Sequence, residues 1–249
     1  MIRSDFLGRV GVFATCLVAL AVIGATCQTA NAVVLAQWTF ENFPDPPGTL
    51  VPASGVVPEA GLYAASSAAS VNTGGSVRTQ LGNGSQNSYH SNGWNVGEAF
   101  VFKTVSTGYG GIKISWDQTG SSRGPRDFKV QYSTNGSSFF DIFTAPSYTV
   151  LLNGPSGTWN ATTAHAAYSY SRDLSAILAL YDQPMIFLRL INTSTAGISG
   201  GTVNADGASR VDNFNVTATA IPLPPAVFVF LGVAAFAGVA RRRIQSLLN

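Results

Sequence analysis

The chain has 249 residues, of which only 10% are charged and 26 are glycines, a composition more typical of an exported all-β protein than of a helical cytosolic one. Between residues 33 and 220, nine basic against eleven acidic side chains give a net charge of −2, which excludes nucleic acid as a partner. Both cysteines, Cys16 and Cys27, precede this region, so it has no disulfide framework, thiol nucleophile or cysteine metal site.

The first 32 residues have the three parts of a secretory signal peptide, and we expect them to form a signal helix. A positively charged start is followed by an apolar centre over residues 10–25. Ala30-Asn31-Ala32 then matches the small-x-small pattern of a signal-peptidase site. We therefore predict export, with cleavage after Ala32.

Residues 33–41 alternate between polar and apolar side chains, which is typical of a strand with one face in a core. Trp38 belongs to the apolar set, as does Trp116 in a later strand. Asn135-Gly136 is a strong hairpin signal, because both residues accept positive φ. The pattern predicts further strands at 78–81, 98–105, 112–118, 126–133, 138–144, 148–152, 185–192 and 209–217.

Two irregularities interrupt this strand pattern. Residues 173–178 are typical of one short helical turn, with Asp173 as its N-terminal cap. Val211 and Phe214 break the alternation of the last strand, which indicates a β-bulge near Asn213. Residues 159–170 are expected to be extended, whereas 60–72 carry no clear pattern. The spacing of strands and turns predicts an all-β fold, a jelly-roll-like β-sandwich ectodomain over residues 33–218.

Glu41 and Asp212 lie on the first and last predicted strands, which are often neighbours in a jelly roll. Because Ca²⁺ takes six to eight oxygen ligands, these carboxylates are candidates for part of a structural calcium site, with Asp206 nearby. The alternative is that Asp212 pairs with Arg210 or caps a strand end. His90, like His165, has no carboxylate at a ligand-like spacing, so both are interpreted as exposed loop histidines.

Trp94 and Trp159 lie in polar surroundings and are candidate carbohydrate-binding residues if their loops expose them. The alternative for both is core packing. No pattern links two carboxylates as an acid and a base, and no Gly-x-Ser-x-Gly nucleophile elbow is present. We therefore predict that the ectodomain is not an enzyme.

The last segment begins with a short proline motif: Ile221, Pro222, Leu223, Pro224 and Pro225. An apolar run follows over residues 226–240, and with the motif it reaches about 20 residues, the length of a transmembrane helix. Arg241, Arg242 and Arg243 then act as a stop-transfer signal that keeps this end in the cytoplasm. The residues from 219 onward are thus predicted to be a tail that enters the membrane.

This order of proline motif, apolar span and arginine cluster resembles the PEP-CTERM sorting tail of Gram-negative bacteria, in the variant that reads Val-Pro-Leu-Pro-Ala. Ile221 replaces the valine, Pro225 replaces the small residue, no glutamate lies between the prolines, and residues 244–249 extend past the arginines. The resemblance implies recognition and cutting by an exosortase, a multi-spanning enzyme of the inner membrane. The alternative is an ordinary single-span anchor.

A second resemblance covers residues 111–138 and 174–195 and the closing Arg210-Val211-Asp212-Asn213 strand. It is to a jelly-roll domain common in PEP-CTERM proteins and related to carbohydrate-binding sandwiches. Together the two resemblances imply a cell-surface or extracellular-matrix protein, a structural or carbohydrate-interacting component of exopolysaccharide or biofilm. The alternatives are a membrane-anchored carbohydrate-binding adhesin and a secreted glycan hydrolase.

Overall fold

The computed structural model describes residues 31–43, 47–142, 147–154 and 158–222, which fold as two packed β-sheets with short 3₁₀ turns. The 3₁₀ turns are Ala64–Ser66, Ala166–Tyr168 and Leu178–Leu180. The strands are β1 (Ala32–Trp38), β2 (Ala68–Val71), β3 (Val77–Gln80), β4 (Ser88–Asn92), β5 (Ala99–Thr104), β6 (Tyr109–Gly120), β7 (Asp127–Ser133), β8 (Phe140–Asp141), β9 (Tyr148–Thr149), β10 (Leu151–Leu152), β11 (Ser169–Asp173), β12 (Ile186–Asn192) and β13 (Ala208–Ala220).

The first sheet has seven strands in the order β10-β6-β13-β4-β3, with β1 also paired to β13 and β11 to β6. The second sheet has six strands in the order β2-β5-β12-β7-β8, with β9 also paired to β7. The pairs are antiparallel except for β10 with β6. This two-sheet arrangement confirms the predicted all-β sandwich.

β13 is the central strand of the seven-stranded sheet. One of its edges pairs with β6, and the other pairs first with β4 and then with β1. The register with β6 shifts between Asp212 and Asn215, and Asn213 has a φ of 51°. The predicted bulge near Asn213 is therefore confirmed, and it lets one strand serve two partners on the same side.

Aromatic side chains from both sheets form the centre of the core. The ring of Phe102 stacks on that of Phe214 with centroids 3.5 Å apart, and Trp38 contacts both rings edge-on. Trp38 and Trp116 are buried, as their alternation with polar residues predicted. Because such rings bury a large apolar area, this cluster fixes how the two sheets face each other.

Most predicted strands are present, although several are shorter or longer than expected. β4 lies in a segment for which no strand was predicted, as does β2. Within 159–170 only the last two residues belong to a strand, and the predicted turn forms later, at Leu178–Leu180. Asp173 does not cap this 3₁₀ turn, which begins after Ile177; its carboxylate instead accepts the backbone N–H of Ser175 at 2.9 Å.

The predicted ectodomain limit of residue 218 is two residues short, because β13 continues to Ala220. The predicted signal peptide lies outside the described residues except for its last two positions, and the tail lies outside them except for its first four. Within the ranges described above, no helix has the length and apolarity needed to cross a membrane.

Candidate functional site

A row of side chains crosses the outer face of the seven-stranded sheet. Residues directly opposite each other on paired strands point to the same face, so the register defines the row. We call it the cross-strand row, and it spans about 24 Å at ~4.8 Å between neighbouring strands. In order it consists of Leu50, Arg78, His90, Arg210, Thr119 and Leu151.

The strand period places this row away from the core. On β13 the neighbours of Arg210 are Ser209 and Val211, which are both fully buried between the sheets. On β4 the neighbour of His90 is Tyr89, which is also fully buried. Arg78, His90 and Arg210 are only half-buried, so each keeps some surface in contact with solvent. Thr119 is fully buried, and its hydroxyl donates to the Leu151 carbonyl at 2.9 Å.

Arg210 differs from the other half-buried arginines in the part of the chain that the structure describes. Its Nε–H is buried and has no hydrogen-bond acceptor, and its guanidinium forms no hydrogen bond, ion pair or aromatic contact with described residues. Burial alone lowers the pKa of Arg210 to about 10. The other half-buried arginines have partners: the Gly48 carbonyl for Arg78, Asp127 for Arg126, the Trp116 and Tyr148 rings for Arg172, and Gln131 with the Phe139 ring for Arg189.

His90 lies between the two arginines of the row. It is on β4 and half-buried, so its interpretation as an exposed loop histidine is wrong. Burial, followed by the charges of Arg210 and Arg78, lowers its pKa to about 4. The imidazole is therefore neutral at neutral pH, and its buried Nδ1 has no hydrogen-bond partner among the described residues.

Next to this row, on the same face of the sheet, lies a buried carboxylate that accepts several hydrogen bonds. Asp212, two residues beyond Arg210 on β13, is fully buried and does not pair with Arg210. Its Oδ2 accepts the backbone N–H of Asn83 at 2.9 Å and the hydroxyl of Ser85 at 2.6 Å, and its Oδ1 accepts the N–H of Asn213 at 2.7 Å. Burial raises the pKa of Asp212 to about 7, against these hydrogen bonds, which favour the ionised form.

The loop over residues 82–87, which we call the clamp loop, packs in close contact with Asp212. A Cβ added at Gly82 would lie 2.3 Å from Oδ2 of Asp212, so only glycine fits there. At the far side of the loop, Glu41 accepts the backbone N–H of Asn87 at 2.8 Å and that of Gln86 at 3.3 Å. Two carboxylates, one three residues after the end of β1 and one on β13, thus fix one loop.

A second segment covers the clamp loop from outside. The indole of Trp159 donates to the Leu81 carbonyl at 2.6 Å, and the Asn83 side chain exchanges two hydrogen bonds with the backbone of His165. These contacts bury Trp159, which is 5% exposed. The clamp loop and this segment together cover one part of the sheet face, next to the half-exposed row.

The geometry does not fit the calcium site predicted at Glu41 and Asp212. The carboxylate oxygens of both residues face N–H and O–H donors, and a cation would have to displace these donors from the clamp loop. Within the described ranges, no three His, Cys, Asp or Glu side chains gather as they would around a metal ion. Asp206, the third candidate, is exposed.

The two tryptophans predicted to bind carbohydrate are both buried. Trp94 is 4% exposed and packs with ring centroids 4.9 Å from Phe100 and 5.6 Å from Phe128. Trp159 packs edge-on against Tyr168. Sugar stacking needs an open ring face, so the exposure on which that prediction depended is not met by Trp94 or Trp159, and the alternative of core packing holds.

One pair of carboxylates does come together, although no sequence pattern linked its members. Asp117 lies directly opposite Asp212, and the Asn213 amide donates to both, at 2.9 and 3.2 Å. Asp117 also accepts the Ser169 hydroxyl at 2.6 Å. Glycoside hydrolysis needs an acid and a base that reach the substrate, whereas these carboxylates are buried and engaged with protein donors. The pair is structural.

Comparisons with known proteins show similarity in fold only. No family model and no curated protein matches the chain. Among solved structures, the CBM22-1 xylan-binding domain of Paenibacillus barcinonensis Xyn10C is 12% identical, with 78% of this chain and 99% of that chain covered and a TM-score of 0.46. The K1 cleaved adhesin domain of Lys-gingipain from Porphyromonas gingivalis W83 is 14% identical, with 77% and 99% covered and a TM-score of 0.40. These scores are low, and the fold stands on its own strand pairing.

Replacing Asp212 with asparagine tests whether the clamp stabilises the fold. The amide NH₂ would face the donors of the clamp loop, leaving the Asn83 N–H without an acceptor, so the free energy of unfolding should fall by about 2 kcal/mol. Urea unfolding at pH 8 measures it, and Asp206→Asn, at an exposed site, should change it by less than about 0.5 kcal/mol. Equal stability of the Asp212→Asn variant and wild type would show that the clamp contributes nothing.

Proposed function

We propose that this chain is an exported, non-catalytic polysaccharide-binding protein that is processed at its tail by an exosortase. On this proposal the β-sandwich binds a glycan chain of the exopolysaccharide along the cross-strand row. The mature protein then belongs to the cell surface or the extracellular matrix of a biofilm. The observation that carries the proposal is the row itself, in which half-buried Arg78, His90 and Arg210 lie between two exposed leucines.

The shape and chemistry of the row favour an extended polymer. Leu50 and Leu151, at its two ends, are 64% and 44% exposed, and apolar side chains of this kind pack against the C–H faces of sugar rings. Between them, Arg210 and His90 keep some surface in contact with solvent, although the Arg210 Nε and the His90 Nδ1, which no described residue uses, are themselves buried. A ligand that crosses several strands would contact both kinds of group.

The rival functions are less well supported by the described residues. The close carboxylate pair is buried and engaged, which disfavours the glycan hydrolase. The membrane-anchored adhesin differs from our proposal only in keeping the tail. The proline motif favours processing, because its prolines hold the chain extended just before the apolar run, in a form that a membrane peptidase can grip.

Binding to polysaccharides tests the proposed function directly. The mature protein, purified from its host, should be retarded in native gels that contain soluble polysaccharide from the host matrix. The Leu50→Ala/Leu151→Ala double variant should bind several-fold more weakly, since each side chain loses apolar contact. Leu178→Ala, at a leucine that is 71% exposed but outside the row, should bind like wild type. Failure to bind any polysaccharide would refute the proposal.

The intact mass of the protein tests the processing step. In a host with an active exosortase, the protein recovered from the surface should lack Arg241, Arg242 and Arg243 and the apolar run before them. In a host without the enzyme the same protein should retain them. A tail retained in both hosts would favour the ordinary anchor, and hence the adhesin.

A further inference from the structure

We infer that the cross-strand row binds an acidic polysaccharide, with a carboxylate of the glycan received by the guanidinium of Arg210 and flanked by Arg78 and His90. This inference rests on the proposed function and names its ligand class. Its first support is the environment of Arg210, whose half-buried charge has no partner among the described residues. Since an unpaired charge that is partly withdrawn from water destabilises a protein, Arg210 is costly to the fold unless an anion from outside completes the site.

Comparison with Arg172 shows that a guanidinium without any described partner is found at Arg210 and not at this second half-buried arginine. The Nε of Arg172 is also buried without a hydrogen bond, but its guanidinium lies 5.9 Å from the Trp116 ring centroid and 5.5 Å from that of Tyr148. Cation–π contacts therefore stabilise Arg172 from within the protein. Arg210 has no equivalent among the described residues.

The neighbours of Arg210 on the row are suited to a single carboxylate. Arg78 lies two strands away, about 10 Å across the sheet, and adds a second positive charge. Its guanidinium already donates to the Gly48 carbonyl at 2.9 Å, so it is held in place. His90, between the arginines, is only half-buried, so part of its ring borders the surface on which the carboxylate would lie.

The charge of the rest of the domain argues against a polyphosphate. Residues 33–220 carry nine basic and eleven acidic side chains, and Asp212 lies on the same face two residues from Arg210. A polymer with dense charge would meet repulsion beyond the row, whereas one carboxylate per sugar would place a single charge between the arginines. The row therefore fits a uronic-acid polymer better than a nucleic acid.

The test uses acidic polymers and their carboxyl-reduced forms, which keep the sugar backbone and lose the charge. Polygalacturonate, alginate and hyaluronate are titrated into the full-length protein by calorimetry at low salt. At least one should bind about tenfold more tightly than its reduced form, and the preference should shrink as salt is added.

Arg210→Met is the decisive variant, because methionine fills a similar volume without charge. It should abolish the preference for the acidic polymer, while the free energy of unfolding stays equal to that of wild type or rises. Arg172→Met is the matched control: it should lower the free energy of unfolding through its lost aromatic contacts and leave the preference unchanged. An Arg210→Met variant that unfolds more easily and binds like wild type would overturn the inference.

The outcomes separate this inference from the proposed function. Equal binding of acidic and reduced polymers would overturn the acidic ligand and leave polysaccharide binding intact. No binding to any polysaccharide, including that of the host matrix, would overturn both. Equally tight, Arg210-dependent binding of polyglutamate would instead indicate an acidic protein partner, and would overturn the assignment to a glycan.

Discussion

The arrangement of this protein depends on a carboxylate that has no exposed surface. Asp212 lies on the central strand of the larger sheet and accepts hydrogen bonds from the clamp loop. A buried carboxylate is tolerated only with such donors, so the loop has to lie where it does. Through Asn83 the same loop holds the segment that contains Trp159. One part of the sheet face is closed in this way, and the adjacent row remains half-exposed.

A second charged side chain on the same strand, in the cross-strand row, has no such hydrogen-bond partners among the described residues. Asp212 is supplied with donors by the protein, whereas Arg210, two residues earlier, has no described partner at all. The fold provides hydrogen-bond donors for the Asp212 carboxylate but, among the described residues, no counter-charge for the Arg210 guanidinium. This difference is explained if Arg210 pairs with a ligand. An anionic ligand would supply that counter-charge, and the signal peptide and sorting tail predicted from the sequence are consistent with a polysaccharide outside the cell.

The sequence predicts the regular strands of this fold well. β6 and β7 alternate apolar and polar residues over several positions, β5 and β12 are short and mostly apolar, and the bulge at Asn213 is visible as a break in the alternation of β13. β4 escapes prediction because its buried residues include Ser88 and Ser91, which carry no hydrophobic signal. Its burial depends on the neighbouring strands, which a single sequence does not reveal.

The candidate site was not predictable from the sequence. Arg78, His90 and Arg210 are far apart along the chain and become neighbours only through the register of β3, β4 and β13. The burial of the tryptophans was not predictable for a related reason. Trp94 follows Gly93 in a polar stretch, yet Gly93 has a positive φ and Trp94 is buried in the core. In both cases long-range pairing decides exposure, and local composition does not.

The most direct test of this account is a crystal structure of the protein with an acidic oligosaccharide that it binds. The account predicts that a ligand carboxylate lies within hydrogen-bonding distance of the Arg210 guanidinium, about 2.7–3.2 Å, with the sugar chain running across the strands between Leu50 and Leu151. An oligosaccharide bound to the six-stranded sheet or to the sandwich edge, with Arg210 still unpartnered, would contradict it.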